Sequence, residues 1–294
     1  MNLTILIISY KSITKLEKCL SYIGSAHEII IVENSDNAEL KSEIESKYKN
    51  CKVIINNDNL GWSRAANIGL KEIKTPYVII LNPDTLIKHN QFIEIENEIQ
   101  SLNGNFTLAT PYYDELIDFN KNKDFDKDLN MTKISNDSVS KTTEVDLVKG
   151  SALIINLDKF ENRKIYDENF FFFFEEVDLC KRVKKMGGLV YIFNKIKILH
   201  GGGGSVDDPM TGNYGNFRNW NYYWSRFYYN KKHYGYLSSF AMHFSKLLRF
   251  FFSTIIFLFI SKNKFKMNKS RLFGLFSSMI GIKSSASKKV LNKN

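Results

Sequence analysis

The stretch that decides the fold is LTILIISYKSITKLEKCLSYIGSAHEIIIVEN, residues 3–34. It opens and closes on uninterrupted apolar runs, and apolar residues between the two runs recur at helical spacing. Strand, helix and strand in this order build parallel sheets that are covered on both faces. The stretch therefore predicts an α/β fold, and its TKLE motif at residues 14–17 predicts a capping box at the start of the helix.

The same alternation continues along the chain. The further segments predicted to hold strands or helices are AELKSEIESKY (38–48), KVIIN (52–56), GWSRAANIGLKEI (61–73), YVIILN (77–82), VDLVKGSALIINLDKF (145–160) and LVYIFNKIKILH (189–200). The lysine-rich residues 112–145 between them lack periodicity, which predicts a surface excursion; the alternative is a mobile loop that contacts substrate.

Composition narrows the class of protein. A chain of 294 residues with 44% hydrophobic content can bury a sizeable core. Its three cysteines, Cys19, Cys51 and Cys180, form no CxxC pair, which indicates a reducing compartment without a disulfide framework or structural zinc. No basic residue precedes the short apolar run Leu3–Ile8, so we interpret it as a buried strand and not as a signal peptide.

Charge is divided unevenly along the chain. Residues 209–294 hold 15 lysines and arginines and no acidic residue, whereas residues 1–208 hold 26 bases and all 31 acids. This basic C-terminal segment indicates an anionic partner, either a lipid surface or nucleic acid.

Polar residues follow each of the first four predicted strands. They are Ser9 and Tyr10, then Glu33 and Asn34, then Asn57–Asn59, then Asn82–Asp84. The carboxyl ends of parallel strands meet at one edge of the sheet, where ligands bind, so these side chains are expected to converge.

The LNPDT segment, residues 81–85, predicts a cation site. Pro83 favours an extended conformation at Asn82, and in an extended chain Asn82 and Asp84 face the same side. One carboxylate and one amide suit Mg²⁺ or Mn²⁺ that takes its other ligands from phosphates and water. The alternative is an Asx turn with no ligand.

Six motifs in order carry a resemblance to a known family. They are ISYK (8–11), VENS (32–35), NLGWSRAANIGL (59–70), LNPDT (81–85), DENFFFFFEEVDLCKR (167–182) and ILHGGGGS (198–205). Together they resemble family-2 glycosyltransferases with the GT-A fold, closest to the rhamnosyltransferase-like branch, over roughly residues 1–230. The resemblance implies a Rossmann-like, mostly parallel sheet with helices on both faces.

The resemblance also implies roles for individual residues. The contacts it implies for the nucleotide-sugar donor are Ser9, Tyr10, Glu33, Asn34, Asn59, Gly61, Arg64, Asn67 and Asn82. NPD resembles a degenerate form of the metal-binding Asp-x-Asp motif, with Asp84 as the main carboxylate. His200 matches a position that completes the metal site in relatives; a structural histidine is the alternative.

The acidic pair Glu175 and Glu176 follows the run Phe170–Phe174, where the family has its general base. The resemblance implies that Glu176 takes the acceptor proton, with Glu175 in reserve. Burial against phenyl rings raises the pKa of a carboxylate, so the run is expected to be a dry wall that makes the pair more basic. The alternative is an ordinary helix start with an acidic first turn, in which Asp178 pairs with Arg182.

Residues 201–204 are four glycines, interpreted either as a lid over the bound donor or as a plain linker. Residues 231–294 follow an aromatic segment and are predicted to form basic amphipathic helices that lie on an anionic membrane surface. The apolar run 250–260 is too short to span a bilayer. A helical subdomain packed on the body is the alternative.

The leading hypothesis is therefore an inverting, metal-dependent glycosyltransferase at the cytoplasmic face of the membrane. By resemblance its donor is dTDP-L-rhamnose and its acceptor is a lipid-linked sugar or a polysaccharide. Alternatives are a family-2 enzyme with another donor such as UDP-galactofuranose, a non-catalytic nucleotide-sugar-binding protein, or a nucleic-acid-binding protein. The acidic body makes nucleic acid the less expected partner.

Overall fold

The computed structural model describes residues 2–113, 141–200 and 213–284. The strands within these residues are β1 Leu3–Ser9, β2 Ile29–Glu33, β3 Cys51–Ile55, β4 Tyr77–Leu81, β5 Thr85–Leu86, β6 Leu108–Tyr113, β7 Thr142–Glu144, β8 Ala152–Asn156 and β9 Val190–His200. The helices are α1 Ile13–Ile23, α2 Ala38–Lys47, α3 Trp62–Glu72, α4 His89–Ser101, α5 Glu175–Lys185, α6 Asn213–Tyr234, α7 Tyr236–Ile260 and α8 Lys262–Met279.

The chain divides into two compact units. The sheet unit comprises Met1–Asn59, Ala65–Tyr166 and Glu176–Asp208. The helical unit comprises Leu60–Arg64, Asp167–Glu175 and Pro209–Asn294. The predicted boundary at residue 230 between catalytic and C-terminal domains falls inside α6.

The sheet has the order β3-β2-β1-β4-β8-β6-β9-β5, and β7 also pairs with β9. Its first four strands are parallel, as predicted. The other half is mixed, because β8 runs antiparallel to both β4 and β6, whereas β9 is parallel to β6. Ser9 pairs with Glu33, and Ile7 pairs with Leu81, so the carboxyl ends of these strands lie at one edge.

Helices cover both faces of the sheet. On one face, α1, α2 and α4 form a core with inward-facing strand residues, and Leu16, Ile44 and Phe92 are buried there. On the other face α3 packs closely on the strands. The packing is so close at Gly69 that a Cβ there would collide with the Leu6 side chain. Burial on both faces explains why these strands are apolar without alternation.

The structure differs from the sequence predictions at the start of α1 and in the segment 112–145. Helix α1 begins at Ile13 and its N-cap, Ser12, makes no side-chain capping bond, so the capping box predicted at residues 14–17 is wrong. Within the predicted excursion, β6 continues through Tyr113 and β7 occupies Thr142–Glu144, while residues 114–140 lie outside the described residues. The glycines at 201–204 also lie outside them.

In the helical unit, α6, α7 and α8 share a small core of Phe227, Phe250, Leu275 and Met279. Close approach of α6 and α8 depends on Gly274, where a Cβ would overlap the Trp220 carbonyl. Helix α7 is the one helix among the described residues whose length and apolar composition would allow it to cross a membrane. It is longer than the apolar run 250–260, because it continues back through Arg249, Lys246 and His243.

Candidate active site

Glu33, the last residue of β2, is a fully buried carboxylate at the ligand-binding edge of the sheet. Its Oε1 accepts hydrogen bonds from the Lys11 backbone N–H at 3.2 Å and the Ser35 hydroxyl at 2.5 Å. Its Oε2 is also buried and finds no hydrogen-bond partner among the described residues. A buried carboxylate oxygen without a donor is costly, so this oxygen is suited to accept an N–H group from a ligand.

Amide side chains tie the ends of the neighbouring strands together. Asn34 donates its backbone N–H to the Ser9 carbonyl at 2.8 Å and its Nδ2 to Asn59 Oδ1 at 3.0 Å. Its Oδ1 accepts from Asn56 Nδ2 at 3.0 Å. The structure therefore brings the predicted residues Ser9, Glu33, Asn34 and Asn59 together, with Asn56 as a member that sequence analysis missed. Half-buried Tyr10 follows Ser9 directly.

Three other predicted donor contacts lie in α3 or directly before it. Asn67 is buried in α3, where its amide group bonds the backbone N–H and carbonyl of Tyr166 at 3.0 and 2.9 Å. Gly61 and Arg64 belong to the helical unit. Gly61 has a φ of +85°, and Arg64 Nε lies 3.8 Å from Glu168 Oε2. Their donor-binding roles stay predictions.

Asn82 and Asp84 lie in a tight turn and not in an extended chain. The Thr85 N–H donates to the Asn82 carbonyl at 3.0 Å, and Pro83 takes the second position of the turn, which its fixed φ favours. The extended chain predicted to run from Asn82 to Asp84 is therefore wrong, whereas the turn is compatible with an extended backbone at Asn82, its first residue. Thr85 pairs with His200 across β5 and β9, so the backbone places His200 beside the Asp84 turn. The His200 side chain lies outside the described residues.

Cys19 lies beneath the same turn and donates its thiol to the Thr85 carbonyl at 3.2 Å. Burial, and secondly the nearby charge of Asp84, raise the pKa of Cys19 to about 12. This cysteine therefore stays a neutral thiol, which is a poor metal ligand.

Residues 150–151 connect the Asp84 turn to Glu176. The Ser151 carbonyl accepts the Asn82 N–H at 3.1 Å and the Thr85 hydroxyl at 3.0 Å. A Cβ at the neighbouring Gly150 would lie 3.3 Å from Glu176 Cβ. The Asp84 turn and Glu176 therefore flank the same two residues. Sequence analysis missed this link, although the KGS segment before a buried strand was a possible signal.

Glu176 is the second residue of α5 and is partly buried. Burial raises its pKa, while hydrogen bonding from the backbone N–H groups of Glu176 and Val177 acts in the opposite direction. Its Oε2 is buried and has no hydrogen-bond partner in the described part of the chain. The pKa of Glu176 is thus raised, as expected. A buried carboxylate of this kind is a stronger base than an exposed one.

Tyr113 adds a phenol near Glu176. Its hydroxyl accepts from the Ser151 hydroxyl at 2.9 Å. Burial is the main cause that raises the pKa of Tyr113 to about 12, and the charge of Glu176 acts in the same direction. The phenol therefore stays protonated near neutral pH.

The phenylalanine run is only partly the expected dry wall. Phe170, Phe171 and Phe174 are buried, but Phe172 and Phe173 are partly exposed. Glu175, which begins α5, belongs with the run to the helical unit. The predicted pair is confirmed, because Arg182 Nε donates to Asp178 Oδ2 at 2.8 Å.

The chemistry of the Asp84 turn fits a hard cation. Its oxygen donors are the Asp84 carboxylate and the Asn82 amide, both partly exposed. No group of three or more His, Cys, Asp or Glu that could hold a metal occurs among residues 2–113, 141–200 and 213–284. So sparse a set suits Mg²⁺ or Mn²⁺ that completes its shell with diphosphate and water oxygens.

Comparison with known proteins identifies the family of this chain. The model of the glycosyl transferase family 2 domain matches residues 4–179, which include Glu33, Asp84, Glu175 and Glu176. The chain belongs to glycosyl transferase family 2. The match ends before His200 and helices α6–α8.

Two curated relatives are similar at low identity. The rhamnosyltransferase WbbL of Escherichia coli K12 is 25% identical over 67% of this chain and 82% of its own length. The low-salt glycan biosynthesis hexosyltransferase Agl10 of Haloferax volcanii is 25% identical over 63% of this chain, which spans 62% of that relative.

Solved structures show the fold. The mannosyltransferase PcManGT of Pyrobaculum calidifontis, solved with GDP-Man and Mn²⁺, superposes with a TM-score of 0.55 at 10% identity, covering 95% of this chain and 87% of that one. Residues 1–349 of TarS from S. aureus give 0.53 at 9% identity, covering 96% and 92%. The chain has the GT-A fold, as the motifs implied.

Proposed function

We propose that this protein is an inverting glycosyltransferase that moves a hexose from a nucleotide diphosphate to a hydroxyl of a lipid-linked or polysaccharide acceptor. The observation that carries the proposal is the link through residues 150–151, which holds the Asp84 turn and Glu176 on either side of one short segment. Similarity to the rhamnosyltransferase WbbL supports L-rhamnose as the transferred sugar, and the motif resemblance implies dTDP-L-rhamnose as its donor. UDP-galactofuranose is the alternative donor.

Glu176 is the proposed general base, and Glu175 is held in reserve. The acceptor hydroxyl gives its proton to the Glu176 carboxylate while its oxygen bonds to the anomeric carbon. The bond from that carbon to the diphosphate breaks, and the electron pair leaves with the diphosphate. Because burial raises the pKa of Glu176, its carboxylate holds the proton more strongly than an exposed glutamate does.

Asp84 and Asn82, with His200 beside their turn, would hold the Mg²⁺ or Mn²⁺ ion. A bound cation stabilises the negative charge that develops on the leaving diphosphate. The turn places Asp84 directly before β5. Because the nearby Cys19 thiol is neutral, the proposed metal ligands are the oxygen atoms of the turn and not this sulfur.

The nucleotide is proposed to bind at the ends of β1, β2 and β3. There the buried Glu33 Oε2 accepts an N–H from the base, and Ser9, Tyr10, Asn34 and Asn59 surround it. Gly61, Arg64 and Asn67 remain proposed donor contacts by resemblance. The chemistry proposed for these strand ends is thus a buried acceptor oxygen on Glu33 with amide side chains beside it.

We further propose that residues 231–294 hold the catalytic domain, residues 1–230, at the cytoplasmic face of the membrane. One side of α7 packs on α6 and α8. The ring centroid of Phe250 in α7 lies 4.7 Å from that of Tyr223 in α6, and Nζ of Lys264 in α8 lies 5.1 Å from the Phe257 centroid in α7. Its other side exposes apolar residues such as Leu237, 81% exposed, and Phe259, 84% exposed. A helix packed along one side on lysine-bearing helices fits an interface better than a span.

The test is thermal-shift and transfer measurement with a panel of nucleotide sugars, with and without Mn²⁺. We expect one nucleotide class to raise the melting temperature with the cation present, and turnover of its sugar conjugate to release nucleoside diphosphate. Stabilisation by a nucleotide sugar without turnover under any condition would favour a non-catalytic binding protein. Strongly salt-dependent DNA binding without either response would favour a nucleic-acid-binding protein.

A further inference from the structure

The backbone pairing of β6 with β8 covers only part of the two strands. It extends to Ala109 and Ile154, whereas β6 continues to Tyr113 and β8 begins at Ala152. Pro111 has no N–H group to donate to a neighbouring strand, and the register of β6 against β9 shifts directly after it. The start of β8 is therefore attached to β6 by something other than this ladder.

Two side-chain hydroxyl groups make the attachment. Thr110 Oγ1 donates to the Ala152 carbonyl at 2.9 Å. Three residues further along β6, the Tyr113 hydroxyl accepts the Ser151 hydroxyl at 2.9 Å. Thr110 and Ser151 are both buried, and a hydrogen bond in such a place is stronger than one that competes with water.

The side chain of Tyr113 spans residues 149–151. Nζ of Lys149 lies 4.5 Å from the centroid of the ring, within the range of a cation–π contact, and the hydroxyl at the far end of the ring bonds Ser151. Gly150 lies between these two contacts. One side chain therefore holds the backbone on both sides of Gly150.

The segment 149–151 contacts both groups of the proposed reaction. A Cβ at Gly150 would lie 3.3 Å from Glu176 Cβ and 3.8 Å from its carboxyl carbon, so the Glu176 side chain lies against this backbone. The next carbonyl, that of Ser151, accepts the Asn82 N–H at 3.1 Å and so holds the Asp84 turn. A displacement of the segment would change the separation between the base and the turn.

Space filling alone does not require a tyrosine at position 113. Phenylalanine would fill the same volume, would keep a ring beneath Lys149 and would bury no hydroxyl group. The hydroxyl adds the bond to Ser151. The charge of Glu176 is also one cause of the raised pKa of Tyr113, so this carboxyl group is near enough to act on the phenol.

We infer that Tyr113 is a positioning residue, which sets the separation between Glu176 and the Asp84 turn by holding the segment 149–151. The inference rests on the proposed function, in which Glu176 takes the acceptor proton and the Asp84 turn holds the cation. Tyr113 acts through Gly150 and Ser151 and not on the substrate itself. Its hydroxyl should matter for the rate, because a misplacement of about 1 Å between reacting groups can lower a rate about 10²-fold.

The test compares Tyr113→Phe, Ser151→Ala and the double variant. Tyr113→Phe should lower kcat about tenfold, which corresponds to about 1.4 kcal/mol. It should also lower the melting temperature, because the buried Ser151 hydroxyl loses its partner. Ser151→Ala breaks the same bond from its other end and should lower kcat to a similar extent. The dissociation constant of the donor, measured by calorimetry, should change less than about twofold in all three, well under that tenfold step.

The double variant separates positioning from stability. It removes both hydroxyl groups, so no buried group is left without a partner and most of the melting temperature should return. The segment stays without its bond, so kcat should remain about tenfold low, the same step of about 1.4 kcal/mol. Recovery of kcat together with the melting temperature would mean that the bond only stabilises the fold, and would overturn the inference.

Tyr77→Phe is the matched control. Tyr77 begins β4, at the end of the strand remote from the Asp84 turn, and its ring stacks on Phe106 with the centroids 5.8 Å apart. Its kcat should equal that of the wild type, and a tenfold loss there too would overturn the inference. A normal kcat in Tyr113→Phe beside lost transfer in Glu176→Gln would overturn the inference alone, whereas near-normal transfer by Glu176→Gln would overturn the proposed role of that carboxylate.

Discussion

Glu176 shows at the scale of one residue how its surroundings raise the pKa of an ordinary carboxyl group. Burial raises its pKa, and the start of α5 provides backbone N–H groups that keep the ionised form accessible. The two effects oppose each other, and burial is the larger. The same environment that makes the carboxylate basic should also make its charge costly for stability.

Glu176→Gln should therefore raise the melting temperature at neutral pH. A carboxyl group whose pKa is raised on folding binds more protons in the folded state, so its unfavourable contribution grows as pH rises from the unfolded pKa through the folded pKa. The gain in the variant should be largest above this window and should vanish at lower pH, where the wild-type group is protonated in both states.

Differential scanning calorimetry from acidic to neutral pH measures this dependence. Glu94→Gln is the control, because Glu94 is exposed on α4 and the same change there removes a solvated charge. A stability gain for Glu176→Gln that is independent of pH would contradict the argument from burial.

The sequence allowed some of these residues to be predicted and hid others. Glu33, Asn34 and Ser9 follow apolar runs directly, so the edge of a parallel sheet could be read from the pattern. Ser151 joins the site only through its backbone carbonyl, which any residue possesses, so residue type gave no signal. The Asn67 amide bonds the Tyr166 backbone, a structural use that residue type alone did not reveal. Its donor-binding role stays a prediction.

At the scale of elements, the long apolar strands and the helices between them were predictable because their burial is continuous. The second half of the sheet was not. Strand β5 has only two residues and β7 reads Thr-Thr-Glu, so neither carries an apolar signal. The antiparallel direction of β8 depends on pairing with β4, a contact between residues more than 70 positions apart.

The contact between α6 and α8 gives a prediction at this scale. Gly274→Ala would place a methyl group on the Trp220 carbonyl, which is backbone and cannot rotate away. We expect a loss of about 2–3 kcal/mol or more in the free energy of unfolding, measured by urea titration, because overpacking at a rigid contact forces the helices apart.

Gly215→Ala is the matched control in α6. A Cβ at Gly215 meets no atom within 4 Å, so alanine should be neutral or should stabilise by about 0.5–1 kcal/mol through helix propensity. Equal losses of unfolding free energy in Gly274→Ala and Gly215→Ala would mean that these helices are destabilised by any glycine-to-alanine change. The close approach at Gly274 would then not be the cause.

At the scale of the whole molecule, an acidic body is joined to a basic segment whose longest helix exposes apolar side chains. We expect the protein to float with vesicles containing phosphatidylglycerol and to dissociate partly at high salt, because lysines attract the anionic surface while apolar burial persists. The triple variant Leu237→Ser, Phe251→Ser and Phe259→Ser should lose most of this binding.

Transfer to a water-soluble acceptor should survive in that variant, since the three side chains lie on the exposed side of α7. The control replaces three exposed side chains of the sheet unit, Tyr22, Ile93 and Met186, by serine and should float as the wild type does. Equal flotation of the wild type and the α7 variant would contradict membrane docking through this helix.

The central claim is that the carboxylate of Glu176 removes the acceptor proton at a site that binds the donor independently of it. The most direct measurement compares wild type with Glu176→Gln for both sugar transfer and nucleotide-sugar affinity under one condition. The account predicts that transfer falls about 10²–10⁴-fold while the dissociation constant of the donor stays within about twofold. Near-normal transfer by Glu176→Gln, with donor binding intact, would contradict it.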